Sequence, residues 1–110
     1  MPKIVSVRTG SRIEMVDITP MVAEEVSREG ATEGLCVVYV PHTTAGVTIN
    51  EGADPDVCHD ILKRLNELVP YSSAYRHMEG NSDAHIKASI MGCSVTVIVE
   101  NGRLVLGTWQ

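Results

Sequence analysis

The sequence predicts a single α+β domain over residues 1–110, with a largely antiparallel, β-sandwich-like core and two or three short helices. Three observations carry that prediction. Apolar and polar residues alternate in several short runs, the period of a half-buried strand. Turn signals, Thr9-Gly10-Ser11 and Asn101-Gly102, join such runs into hairpins, so the strands should pair antiparallel. Helical spacing occurs only in brief segments, too few for the crossovers of a doubly wound parallel sheet.

The elements follow in order. Lys3 to Arg8 and Arg12 to Ile18 both alternate and read as an opening hairpin. Thr19-Pro20 starts a helix, with Thr19 as N-cap and Pro20 in the first turn. Met21, Val22, Ala23 and Val26 form its apolar stripe, and Gly30 closes it. Leu35 to Val40 is nearly all apolar, as in a strand buried on both faces. Gly46 to Asn50 is a second short strand. Asp54-Pro55-Asp56 is a strong helix start: Asp54 caps, Pro55 needs no N–H partner, and Asp56 suits the helix dipole. Val57, Ile61, Leu65 and Leu68 recur at helical spacing, and Pro70 ends the run. Tyr71 to Asp83 is a polar loop. Ser82 or Asp83 caps a further helix, Ala84 to Met91, which Gly92 stops. Cys93 to Val99 is a strand, and the Asn101-Gly102 turn returns it through Arg103 to Trp109, giving at least six strands in all.

Composition excludes several function classes. The hydrophobic fraction is 44%, but aromatics make up 4% and phenylalanine is absent, so aliphatic side chains must fill the core. A net charge of −5 offers no electrostatic case for nucleic acid. No apolar run approaches the roughly 18 residues of a membrane span. The start, Met1 to Gly10, lacks a basic stretch followed by an apolar one and reads as no secretory signal. Cys36, Cys58 and Cys93 are odd in number and far apart, with no CxxC pair, which suits buried structural thiols in a cytoplasmic protein.

The chemistry-bearing residues gather near element ends, where sites are usually built. Of the four histidines, His59 falls mid-helix, away from the apolar stripe, and reads as solvated. His42 follows the Leu35–Val40 strand, His77 lies in the Tyr71–Asp83 loop, and His85 opens the next helix. Three neutral imidazoles can bind a zinc-like ion and leave a position for water or substrate. Their spacing alone is no metal signature, and three ordinary polar residues fit it as well. Asp54 and Asp56 are explained by helix capping. Glu51 has no such duty and can act as general acid or base, or orient a ligand histidine. Thr43, Thr44 and Gly46 supply hydroxyls and bare backbone near His42. Arg76 and Lys87 flank His77 and His85, either to hold a phosphate or as solvated charges.

Three stretches, PHTTAGVTINEGADPDV, YRHMEGNSDAHIKASIMG and the ending NGRLVLGTWQ, together resemble the secondary thiamine-phosphate synthase family, the YjbQ-like proteins. The match runs from about Leu35 to Gln110, and the N-terminal segment fits it. The resemblance implies a β-sandwich-like α+β fold, a homotrimer, and a metal-holding pocket near subunit junctions. It makes His42, His77 and His85 the metal ligands. Asn50 and Glu51 become catalytic candidates, and Thr43, Arg76, Lys87 and Trp109 candidates for binding substrate or phosphate. The implied activity is a secondary coupling of a pyrimidine pyrophosphate to a thiazole phosphate. Three histidines suit zinc, whereas magnesium prefers oxygen ligands and would come with the pyrophosphate. The partner is then a small phosphorylated metabolite, with neither nucleic acid nor membrane. A non-enzymatic trimer that binds a metal or phosphorylated metabolite is the alternative. Members of this family usually continue past Gly107-Thr108-Trp109-Gln110 with another apolar strand. This chain stops at Gln110, so it is either a short member or one lacking that strand.

Overall fold

A computed structural model of the chain describes residues 2–110. In chain order the elements are α1 (Thr19–Glu29), β1 (Glu33–Tyr39), α2 (Pro55–Leu68), α3 (Ser82–Met91), β2 (Ser94–Glu100) and β3 (Arg103–Leu104). The class is α+β with antiparallel pairing; the Asn101-Gly102 turn joins β2 to β3, whereas the Thr9-Gly10-Ser11 hairpin is not formed among the described residues. The strands form one open sheet in the order β1-β2-β3. The β-sandwich is therefore not seen among the described residues, which hold three strands rather than six or more. Among the described residues, only Val26, Val69, Val97 and Val99 are buried apolar residues. The radius of gyration is 15.7 Å, against about 13 Å for a compact domain of this length. So few buried side chains cannot fill the gap between two sheets.

Each missing strand has a local reason. Residues 3–18 alternate but have no ladder partner, and alternation fixes side-chain faces, not pairing. Ile4 is 91% exposed, and the Glu14 carboxylate accepts from Gly10 N–H at 2.6 Å to close a tight turn. At 46–50 a single backbone bond, Val47 N–H to Gly92 C=O at 3.0 Å, replaces a ladder. The return strand stops at Leu104. Val105 N–H still reaches Ile98 C=O at 2.8 Å, but the chain then turns, and the Gln110 side chain accepts from Gly107 N–H at 2.7 Å.

β1 is not buried on both faces. Cys36 and Val38 point inward opposite Val97 and Val95, while Leu35, Val37 and Tyr39 stand exposed beside Ile98, Thr96 and Ser94. Nor are the thiols buried: Cys36 and Cys58 are half-buried and Cys93 is exposed, all three unpaired.

Helix punctuation follows the expected residues at the start of α2 and at Gly30 and Gly92, but not at the starts of α1 and α3, where the side chain at the N-cap makes no capping bond. The Asp54 carboxylate accepts from Asp56 N–H at 2.9 Å, with Pro55 opening α2. α1 begins at Thr19 itself, and Asp17, not Thr19, supplies the carboxylate that accepts from Thr19 N–H at 2.9 Å. Gly30 ends α1 at φ 67°, where only glycine is at ease. Neither Ser82 nor Asp83 caps α3. Asn81 precedes it, and its carbonyl accepts from the Ala84 and His85 amides. Asn101 and Gly102 both have positive φ, 53° and 73°, as the tight hairpin demands.

Candidate functional site

The site grows from α3 and the loop before it. Tyr75, Arg76 and His77 from that loop face Ser82, His85 and Ile86 of α3 across an open cavity of about 300 Å³. On a helix, residues three apart lie side by side, so Ser82 and His85 share the cavity face. The His77 and His85 rings meet edge to face, with centroids 5.3 Å apart and planes at 89°. His77 Nε2 also lies 4.0 Å from a Glu79 carboxylate oxygen. The side-chain oxygen of Asn81, the residue before Ser82, is buried with no hydrogen-bond partner among the described residues.

The adjoining flank of α3 is locked. Asp83 is fully buried, and Arg12 grips both of its oxygens, at 2.8 and 3.0 Å. Lys87, one turn on, reaches Asp83 at 3.4 Å and donates to the Asn66 side chain of α2 at 2.6 Å. The Arg12 hydrogen bonds hold the Asp83 carboxyl down at about 2 against the desolvation that would raise it, with smaller help from Lys87. The same carboxylate raises the Arg12 guanidinium above its ordinary value. Lys87 thus sits within the network that fixes α3 and is not among the residues lining the cavity.

The remaining candidates lie elsewhere. His42 and Thr43 are exposed in the segment after β1. That segment is fastened at Val40 N–H to Cys93 C=O (2.8 Å) and at Val47 N–H to Gly92 C=O. Its anchors are at the C-terminal end of α3, about 10 Å along the helix from His85 at roughly 1.5 Å per residue. Gly46 is needed there, because a Cβ would meet the Gly92 carbonyl oxygen at 2.8 Å and Met91 Cβ at 3.0 Å. Among the described residues no three His, Cys, Asp or Glu side chains group closely enough to hold a metal ion. Asn50 and Glu51 lie beside the chain's last residues, joined by Gly52 N–H to Trp109 C=O at 2.7 Å, with Trp109 itself 65% exposed. His59 is exposed on α2, as its helix position implies.

Sequence reasoning missed Arg12, Asn66, Tyr75 and the buried role of Asp83. The spacing of Asp83 and Lys87, one helical turn apart, was an available signal for their pairing. Nothing local connects Arg12 to Asp83, 71 positions away.

These features define a small α+β domain with an open antiparallel sheet and a histidine-paired cavity at the start of its third helix. No helix is long and apolar enough to cross a membrane among the described residues. The chain belongs to the family described as UPF0047 protein YjbQ-like, which matches residues 3–110. The UPF0047 protein YugU of Bacillus subtilis is 53% identical over 111 residues, covering 100% of this chain and 84% of the relative. A UPF0047 protein of Methanocaldococcus jannaschii is 53% identical, covering 94% of this chain and 75% of its own length. Among solved structures, a YjbQ/UPF0047-family protein of Clostridium acetobutylicum superposes with a TM-score of 0.84 at 57% identity, covering 86% of this chain and 74% of that one. A hypothetical protein of Aeropyrum pernix K1 gives a TM-score of 0.89 at 42% identity, covering 94% and 78%.

Proposed function

We propose that this chain is a metal-dependent enzyme acting on a small phosphorylated metabolite, with His77 and His85 supplying two imidazoles to a zinc-like ion. The observation that carries it is the 5.3 Å centroid separation of the two rings at the cavity wall. A zinc–nitrogen bond of about 2.0–2.1 Å puts each ring centroid roughly 3.2 Å from the ion, so two tetrahedral ligands have centroids about 5 Å apart. The rings fit that spacing. In this reading His42 completes the ligand set across a subunit junction of a homotrimer, because its own segment is fastened at the far end of α3.

A bound divalent ion would supply Lewis-acid chemistry and charge for a phosphate or pyrophosphate oxygen. Arg76 holds the phosphate by charge-assisted hydrogen bonds, with the Ser82 hydroxyl beside it. Asn50 and Glu51 orient and move a proton. Thr43 and Trp109 contact the organic part of the substrate. The finer reading joins the thiazole nitrogen of a thiazole phosphate to the methylene carbon of a pyrimidine pyrophosphate, whose C–O bond breaks to release inorganic pyrophosphate, giving thiamine phosphate. One observation favours a binding module without turnover: the residues lining the cavity include no carboxylate.

Metal analysis of the purified protein tests the first reading. His77→Ala, His85→Ala and His42→Ala each lose bound metal, while His59→Ala retains it. Unchanged metal content in all three site variants overturns it. Turnover of the two thiamine precursors separates enzyme from module.

A further inference from the structure

We infer that Arg12 is the positioning residue of the histidine pair: one guanidinium fastens both elements that carry the two imidazoles. The inference rests on the cavity being the functional site. His77 and His85 come from separate elements, a polar loop and a helix, and between their rings there is only an edge contact. Something else must fix their separation.

Arg12 reaches both elements. Its carbon centre lies 3.8 Å from the centroid of the Tyr71 ring, at the start of the loop that holds His77. It donates to the Gly80 carbonyl at 3.3 Å, at the end of that loop. It then grips both Asp83 oxygens on α3, two residues before His85. Residues two apart on a helix point about 200° from each other. The grip therefore falls on the flank of α3 turned away from His85, next to Ile86 at the cavity's edge, and Arg12 is itself not among the residues lining the cavity. It sets the rotation of the helix, and with it the aim of His85, without entering the space a ligand would use. Lys87 adds a second tether from the same side, through Asn66 of α2.

The task is specific to arginine. A planar fork binds a carboxylate through two parallel bonds, stacks on an aromatic face and still has a donor for a carbonyl. An ammonium is a point charge and keeps only part of that set.

The test uses the full chain with isotopically labelled histidine, in the Arg12→Lys form. Ring-to-ring nuclear Overhauser contacts between His77 and His85 are measured, and then the affinity for cobalt(II) alone. The expected result is a folded protein by circular dichroism, a His77–His85 cross-peak weakened at least threefold, and cobalt bound about tenfold or more weakly. A lowered melting temperature with the cross-peak and cobalt affinity unchanged overturns the inference, since Arg12 would then only stabilise. Should Arg12→Lys fail to fold, Tyr71→Leu removes the stacking partner alone. It should weaken the same cross-peak, and an unchanged cross-peak there overturns the inference equally. A native protein that binds no cobalt, yet loses its cross-peak in Arg12→Lys, refutes the metal reading and leaves the positioning role standing.

Discussion

Replacing Asp83 with asparagine should destabilise the fold most at neutral pH and least in acid. The carboxyl is fully buried and held at about 2, down from an ordinary 3.8. At about 1.36 kcal/mol per pH unit, that difference is an upper figure of about 2.4 kcal/mol. The Arg12 side chain is 41% exposed, so solvent screening lowers the expected loss to about 1–2 kcal/mol. The sign follows from the depressed value. The contribution is complete above the unfolded carboxyl's range near pH 4, and it disappears as pH falls through about 2. About half of it remains at pH 3. Urea midpoints of the native chain and Asp83→Asn, taken from pH 7 down to pH 3, isolate the effect, because other carboxylates titrate in both proteins. Their gap in stability should narrow by about half over that range. A gap that is constant with pH, or below about 0.5 kcal/mol at pH 7, would falsify the assignment of this ion pair as the anchor of α3.

Two further outcomes are expected. Gly46→Ala forces a methyl against the Gly92 carbonyl and should cost about 1–3 kcal/mol, read as a lower urea midpoint; an unchanged midpoint would show that the segment carrying His42 does not pack on the end of α3. Asp54→Ala removes the acceptor that caps α2 and should cost about 1 kcal/mol, seen as a melting temperature lowered by several degrees.

What could be read from the sequence was local chemistry. Asp54-Pro55 dictates a helix start because a short carboxylate and a missing N–H both answer needs of the first turn. Asn101-Gly102 dictates a hairpin because two consecutive positive φ values exclude most residues. Gly30 and Gly92 end helices for related reasons. Strand pairing is another matter, since a ladder needs a partner. Residues 3–18 have the right alternation and no neighbour to pair with. β1 pairs with β2, across two intervening helices. The site divides in the same way. His77 and His85 are close in sequence, and their shared cavity was within reach of motif reasoning. The guanidinium that sets them comes from residue 12, in a segment expected to be a strand. Burial of Asp83 was hidden by its plausible duty as a helix cap.

The outer face of the sheet has a practical consequence for every measurement above. Leu35, Val37 and Tyr39 line up along β1, an edge strand whose outer hydrogen-bonding groups no other strand meets among the described residues. Any association of copies through that face couples folding to mass action, so midpoints would climb with protein concentration. Variants should therefore be compared at matched concentrations, and a dilution series belongs beside each melt.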